Sequence, residues 1–271
     1  MTLLQAAVLG LVQGLTEFLP VSSSGHLAVG KLLYGLEEVP ILFDVILHLA
    51  TLIVVWYVFR SRIATILTAL WRFVRRRPKR DGDAEKLRLV GWILLATVFT
   101  VIVALPVAEL ETASRPRLVG AFFLVTAVVL LSTLRSREGG TMFRMGALHA
   151  IIIGFAQGLG VFPGISRSGI TIAAARHVGL ARRDAGEFAF LISIPAILGA
   201  LILTLRDLGD LGRTVGIGSL SVGFLVALIS GFLALTLLLR ILRSGRLYLF
   251  AAYLIPLGIA VILAVGWVTA P

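Results

Sequence analysis

One polar segment occurs twice, 144 residues apart, in a chain that is otherwise strongly apolar. Each copy, at residues 10–27 and 154–171, places Pro, Gly and a serine-rich turn within apolar sequence. The identical positions are Gly10, Gln13, Gly14, Leu15, Phe18, Ser22, Ser24 and Gly25, which match Gly154, Gln157, Gly158, Leu159, Phe162, Ser166, Ser168 and Gly169. Interrupted hydrophobic segments at corresponding places in two halves are typical of membrane proteins that bind a polar group within the bilayer.

The composition excludes an ordinary soluble domain. The chain has 271 residues, of which 58% are hydrophobic and 14% charged, whereas soluble domains average about 25% charged residues. The absence of cysteine excludes disulfides and thiolate metal sites. The first apolar segment lacks a preceding basic region, so we expect no cleaved signal peptide.

Apolar runs of the length that crosses a bilayer, about 20 residues, predict an all-α integral membrane protein. The six expected transmembrane helices lie at about 40–59, 87–105, 118–134, 186–205, 217–239 and 247–268. The repeat segments, 2–35 and 146–180, each hold two apolar arms that are too short to cross alone. They predict two re-entrant helical hairpins, which are tolerated where protein or water covers their backbone.

Charge in the connections predicts the orientation. Positive charge is concentrated at 60–86, 135–145 and 240–246, whereas the intervening connections are balanced. Cytoplasmic connections carry an excess of Lys and Arg, so we expect these three, together with 176–187, on the cytoplasmic side and both termini outside. The first hairpin then enters from outside and the second from inside.

This orientation predicts an inverted-topology repeat whose two hairpin tips meet near the membrane midplane. We expect a single membrane domain over 1–271, with one repeat at 1–134 and the other at 146–268. The net charge of +11 lies mainly in the short connections, where anchoring beside anionic lipid explains it. We therefore expect membrane lipids as partners and no nucleic acid.

Gln13 and Glu17 lie four residues apart on the first arm, and so share one helix face. A carboxylate in a bilayer segment is costly and rarely faces lipid. Glu17 can act as a general base or as the ligand of a hard cation, with Gln13 as a neutral oxygen partner. The alternative is a carboxylate that caps a helix end or lies at the membrane interface.

A polar run follows at Ser22, Ser23, Ser24, Gly25 and His26. Serine and glycine before an apolar run are ordinary helix caps, but a helix N-terminus also binds phosphate well. A serine nucleophile is a third, less favoured interpretation. The imidazole is either a structural hydrogen-bonding group or a general acid or covalent phosphate acceptor.

Arg167 lies at the tip of the second copy. A guanidinium at that depth needs an anionic partner, and its planar fork matches phosphate oxygens. The alternative is an ion pair with Glu17 across the repeat interface, and both hold if the pair forms in the empty state. Asp44 and His48, four residues apart on the first span, are expected to line the cavity.

These groups together fit a phosphate or diphosphate at membrane depth, and a substrate that reaches this depth carries a lipid tail. We find no Cys/His metal cluster and no nucleotide-binding glycine pattern in the sequence. The candidate substrate-binding residues are Gln13, Ser22, Ser24, Gly25, Ser166, Ser168, Gly169 and Thr171.

The motifs resemble the undecaprenyl-diphosphate phosphatase family, also called the bacitracin-resistance proteins. The resemblance lies in QGLTEFLPVSSSGHL at 13–27 and PGISRSG at 163–169, and it extends along the whole chain in span order. It implies a bacterial plasma-membrane enzyme that hydrolyses undecaprenyl diphosphate to undecaprenyl phosphate and inorganic phosphate. Such enzymes recycle the lipid carrier of envelope polymers, confer bacitracin resistance, and have an active site that opens to the external or periplasmic face.

The resemblance also assigns roles to residues. It implies a divalent cation, Mg²⁺ or Ca²⁺, at Gln13 and Glu17, although glutamine at the first position leaves one carboxylate. The implied catalytic residues are Glu17, Ser23, His26 and Arg167, flanked by Ser22, Ser166 and Ser168. The nucleophile stays open between His26, Ser23 and water, and a homodimer is one possible assembly. The competing function is a transporter or flippase of undecaprenyl phosphate or a related lipid phosphate, which would use the same anion-binding groups.

Overall fold

The computed structural model describes residues 1–33, 41–78, 80–110, 112–136, 139–206 and 215–268. Within these ranges the regular structure is helical, apart from one isolated bridge between Gly140 and Leu180. The α-helices are α1 Leu3–Phe18, α2 Ser23–Leu33, α3 Ile41–Val74, α4 Asp83–Ala108, α5 Pro116–Ser132, α6 Ala147–Leu159, α7 Arg167–His177, α8 Arg182–Arg206, α9 Ile217–Arg243 and α10 Ala251–Val268. Some residues of the predicted elements lie outside the described ranges. They are residues 34–35 of the first repeat segment and, in the predicted connections, Lys79, Glu111, Arg137, Asp207, Asp210 and Arg213.

Within the described residues, six helices are long and apolar enough to cross a membrane, which confirms the prediction of an all-α membrane protein. The segments are Leu42–Val74, Asp83–Ala108, Pro116–Arg135, Arg182–Thr204, Ile217–Arg243 and Leu247–Ala264, with mean hydropathies of 2.1 to 2.6. Each contains the core of one predicted span. The chain is therefore a multi-pass membrane protein.

The predicted connection at 60–86 is wrong in its first half, because α3 continues to Val74. Ile66 and Ala69 are buried on one face of this extension, whereas Arg60 is exposed. Charged residues on the outer face therefore mark an amphipathic helix rather than a loop. The turn itself comes later, around Pro78 and Gly82, where the glycine has φ +76°.

Each copy of the repeated segment forms a helix, a break and a second helix. The first break lies between α1 and α2 and contains Pro20, and the second lies between α6 and α7. The hydroxyl of Ser22 accepts a hydrogen bond from the amide of Gly25 at 3.3 Å, and that of Ser166 accepts one from Gly169 at 3.1 Å. The same serine cap therefore begins α2 and α7.

The first helix of each copy packs through glycines against a long helix of the other half. In α1, a Cβ built on Gly10 would lie 2.5 Å from the carbonyl oxygen of Gly223 in α9. In α6, one built on Gly158 would lie 2.9 Å from the carbonyl oxygen of Thr100 in α4. Small residues let helix backbones approach this closely in membranes. The pairs α1–α9 and α4–α6 are thus reciprocal.

The remaining long helices also pair between halves. Helices α5 and α10 cross at Gly120 and Gly258, where a Cβ on either residue would lie 2.8 Å from the carbonyl oxygen of the other. Helix α3 packs against α8 as well as α9. These contacts enclose the two breaks between the halves.

Candidate functional site

The two helix breaks contact each other. The hydroxyl of Ser22 accepts a hydrogen bond from the amide of Gly164 at 2.9 Å. Thr126 of α5 connects to the second break, since its hydroxyl donates to the carbonyl of Gly164 at 2.8 Å and accepts from the amide of Ser166 at 3.1 Å. The two breaks therefore meet, and their predicted position near the membrane midplane stays a prediction.

Glu17 lies at this junction with a side chain that is 4% exposed. Its Oε2 accepts hydrogen bonds from Gln13 Nε2 at 3.0 Å and from Ser23 Oγ at 2.7 Å. Its Oε1 pairs with Nη2 of Arg167 from the opposite break. The ion pair that the sequence offered as an alternative reading of Arg167 is thus the observed arrangement.

A cavity of about 190 Å³ opens beside this pair. Both Ser23, the first residue of α2, and Arg167, the first residue of α7, line it. Helix N-termini present unpaired N–H groups and a partial positive charge, and two of them lie at the wall of this cavity. The lining residues are Thr16, Glu17, Ser22, Ser23, Ser24, His48, Gly160, Val161, Ile165, Ser166 and Arg167.

A second cavity, of about 530 Å³, adjoins the first between α3, α4, α6 and α8. The two cavities share His48, Val161 and Arg167 as lining residues. Most of the other residues around the second cavity are aliphatic, for example Val101 and Leu105. A polar chamber lined by a guanidinium therefore adjoins an apolar chamber, an arrangement that fits a ligand with a charged head and a hydrocarbon tail.

His48 was treated in the sequence only as a lining residue, and the structure brings it next to Glu17. Its Nδ1 lies 2.9 Å from the carbonyl oxygen of Asp44 and its Nε2 lies 3.9 Å from Glu17 Oε2. A carbonyl can only accept, so Nδ1 carries a proton and Nε2 is the nitrogen that faces the cavity. The i, i+4 spacing from Asp44 was the one signal in the sequence.

His26 is held away from the cavity, although the sequence placed it in one cluster with Glu17. Its Nδ1 lies 2.8 Å from the carbonyl oxygen of Ser22 and its Nε2 lies 2.8 Å from the hydroxyl of Tyr253. The ring stacks on Tyr253 and meets Phe123 edge-on. These contacts match the structural alternative, because α5 and α10 supply partners that neighbouring sequence does not reveal. Its predicted acid–base role stays a prediction.

Most of the remaining predicted residues are buried next to the site and do not line the polar cavity. Gln13 is fully buried beneath Glu17, and its Oε1 has no hydrogen-bond partner. Ser168 donates to the carbonyl of Leu19 at 3.4 Å, across the junction of the breaks. The predicted substrate-binding residues that do not line the polar cavity are Gln13, Gly25, Ser168, Gly169 and Thr171.

Gly25 and Gly169 are buried where the breaks approach each other. A Cβ on Gly25 would lie 2.8 Å from the amide nitrogen of Gly164, and one on Gly169 would lie 3.2 Å from Cβ of Pro20. Both glycines therefore allow close packing of the two breaks. Thr171 is buried in α7, with a hydroxyl that has no hydrogen-bond partner.

Comparison with known proteins identifies the family of the chain. A protein-family model described as bacitracin resistance protein BacA matches residues 6–260, which include both breaks. The chain is 43% identical over 259 residues to a Treponema denticola protein named undecaprenyl-diphosphatase, covering 96% of each chain. It is also 43% identical over 266 residues to a protein of that name from Desulfosudis oleivorans, covering 94% of this chain and 96% of the relative. The chain belongs to the bacitracin resistance protein BacA family.

Proposed function

We propose that this protein is an undecaprenyl-diphosphate phosphatase, which hydrolyses its substrate to undecaprenyl phosphate and inorganic phosphate. The observation that carries the proposal is the Glu17–Arg167 pair in a polar cavity that adjoins an apolar one. Membership of the BacA family and the names of its relatives support the same substrate. In the cell the reaction recycles the lipid carrier of peptidoglycan and other envelope polymers and confers bacitracin resistance.

The diphosphate binds in the polar cavity and the start of the isoprenoid tail in the apolar one. Arg167 exchanges its contact with Glu17 for the phosphate oxygens, which its planar guanidinium matches. The N-termini of α2 and α7 add N–H groups to the same anion. Most of a C55 tail continues beyond the cavity along exposed apolar helix faces.

Ser23 is the nucleophile that the geometry favours, because its hydroxyl donates to Glu17 Oε2 at 2.7 Å. Glu17 accepts the Ser23 proton as Oγ attacks the terminal phosphorus. The bond from that phosphorus to the bridging oxygen breaks, and undecaprenyl phosphate leaves with the bridging oxygen. Glu17 passes the proton taken from Ser23 to the departing undecaprenyl phosphate and is again a base. It then takes a proton from the water that attacks the phosphoserine and returns it to Ser23 Oγ as inorganic phosphate leaves.

A divalent cation, Mg²⁺ or Ca²⁺, would be held by Glu17 and the unpaired Oε1 of Gln13. In the part of the chain that the structure describes, no group of three or more His, Cys, Asp or Glu residues could hold a metal. One carboxylate and one amide oxygen fit a hard cation that takes its other ligands from substrate phosphates and water. When bound, such a cation neutralises phosphate charge.

The two halves, residues 1–134 and 146–268, form an inverted-topology repeat within one membrane domain. The reciprocal pairs α1–α9 and α6–α4, the crossing of α5 with α10, and the meeting of the breaks all support this arrangement. The breaks belong to re-entrant hairpins. The protein lies in the bacterial plasma membrane, with its active site open to the external face.

Cysteine labelling tests the orientation cleanly, because the chain has no native cysteine. In intact cells we expect Leu110→Cys to react with an impermeant maleimide and Arg75→Cys to react after the membrane is opened. The reverse pattern would invert the proposed topology.

Transport of a lipid phosphate is the second candidate function. Broken helices and an anion-binding arginine also occur in transporters. Transport needs no hydroxyl activated by a carboxylate, so the hydrogen bond from Ser23 to Glu17 favours hydrolysis.

The deciding experiment measures phosphate release from undecaprenyl diphosphate by the purified, folded protein, with and without EDTA. We expect phosphate release that EDTA abolishes and that added Mg²⁺ or Ca²⁺ restores. Folded protein that releases no phosphate under any condition, but moves lipid phosphate between leaflets of proteoliposomes, would favour the transporter instead.

A further inference from the structure

A third cavity, of about 390 Å³, shares no lining residue with the two cavities of the proposed active site. Helix α9 ends at its wall with Arg243, and α8 begins there with Arg183 as its second residue. Helix α3 contributes Arg62. The cavity therefore lies where α8 begins and α9 ends, beside the middle of α3.

The cavity carries an excess of positive charge. Its one carboxylate, Glu187, has a side chain that is 9% exposed and is paired with Nε of Arg62. Among the described residues, the side chains of Arg183 and Arg243 have no hydrogen-bond or ion-pair partner, and both residues are exposed. Two guanidiniums are thus free to bind an anion while the carboxylate is already neutralised.

Part of the cavity wall is apolar. It is formed by Val58, Phe59, Leu239 and Leu242. An adjoining cavity of about 380 Å³ shares Val58, Leu239 and Arg243 and extends the groove between α3 and α9, with Arg60 and Arg240 among its lining residues. A groove with basic groups along an apolar wall fits a ligand that has both an anionic head and a hydrocarbon chain.

We propose that this groove binds the headgroup of an anionic phospholipid. Arg183 and Arg243 contact the phosphate oxygens, and the apolar wall contacts the first part of the acyl chains. Guanidinium groups bind phosphate through paired hydrogen bonds, and basic pockets between membrane helices bind anionic headgroups. A free phosphate ion shares the headgroup's chemistry but leaves the apolar wall uncovered, so the wall favours the lipid.

Native mass spectrometry of the full-length protein released from detergent tests this proposal. The probes are dioctanoyl phosphatidylglycerol, dioctanoyl phosphatidylcholine and inorganic phosphate. We expect one phosphatidylglycerol to bind more tightly than phosphatidylcholine and inorganic phosphate to compete with it at higher concentration. In the double variant R183Q/R243Q, apparent affinity for phosphatidylglycerol should fall about 30-fold, at about 1 kcal/mol for each arginine.

The matched control is the double variant R77Q/R80Q, which removes the same charge from exposed positions outside the groove. It should bind phosphatidylglycerol as the wild type does, and both variants should keep phosphate release, because neither touches the polar cavity. Equal loss in both double variants would overturn the proposal by showing a diffuse charge effect. No loss in R183Q/R243Q would overturn it by showing that these arginines do not bind the headgroup. Binding of phosphate without phosphatidylglycerol would overturn the lipid in favour of a free anion.

Discussion

The two interrupted helix pairs, α1–α2 and α6–α7, share a backbone design and differ in chemistry. In both, a serine caps the second helix and lies beside the serine two residues later, at 3.4 Å in the first pair and 3.2 Å in the second. Among the corresponding positions that differ, two decide the chemistry of the polar cavity: Glu17 matches Val161, and Ser23 matches Arg167. The repeat thus supplies the scaffold, and its departures from symmetry supply the acid, the hydroxyl and the cation. Identical charges at both tips would repel each other at this contact.

Loss of Arg167 should have the largest effect, because it is the cation that the second pair contributes. For Arg167→Ala we expect kcat/KM to fall about a thousandfold or more, as for other arginines that stabilise phosphoryl transfer. Arg167→Lys should recover part of the activity, since it keeps the charge but loses the planar fork. Phosphate release from undecaprenyl diphosphate measures both variants.

The control for Arg167 is Arg72→Ala. This variant breaks the ion pair between Arg72 and Asp83, whose charged atoms lie 3.5 Å apart, and neither residue lines the two cavities of the proposed active site. This variant should retain near-normal turnover. If Arg167→Ala did so too, the asymmetry between the helix pairs would not be the source of catalysis.

Ser23 and Ser24 offer a sharper test within the first pair. Both line the polar cavity, but Ser23 donates to Glu17 whereas the hydroxyl of Ser24 lies beside that of Ser22. We expect Ser23→Ala to lower kcat by about 10²- to 10⁴-fold and Ser24→Ala to change it little. Mass spectrometry of acid-quenched wild type should detect a phosphate on Ser23. Full activity of Ser23→Ala would assign the attack to water.

Substitutions of the two histidines should have different effects, one on catalysis and the other on stability. His48→Ala removes the imidazole that faces Glu17, and kcat should fall by about a hundredfold. His26→Phe keeps the ring contacts with Phe123 and Tyr253 but loses two hydrogen bonds, which contribute about 1 kcal/mol each. We therefore expect a lower unfolding temperature with near-normal kcat for the folded fraction. The opposite result would restore His26 to the catalytic role that the sequence suggested.

The sequence predicts what depends on local pattern. Long apolar runs predicted the six long helices found among the described residues, and Pro20 with the serine caps predicted the breaks. It could not predict contacts that depend on how distant helices pack. His26 and Tyr253 are 227 residues apart, and the approach of His48 to Glu17 depends on how α3 packs beside α1. The extension of α3 was missed because exposed arginines on a helix and in a loop look alike in composition.

The smallest effects concern the scaffold that the two halves share. Gly14 and Gly154 each face the other half so closely that an added Cβ would overlap Ser230 or the backbone of Ala96, respectively. Gly14→Ala and Gly154→Ala should each destabilise the fold by about 1–3 kcal/mol, as overpacking does. Gly91→Ala is the control, since no atom lies within 4 Å of its added Cβ, and alanine is the better helix former. Thermal unfolding in one detergent compares all three. Similar losses at Gly14 and Gly154 are expected because the proposed inverted repeat makes the pairs α1–α9 and α6–α4 equivalent. A loss confined to one variant would limit the symmetry to the breaks.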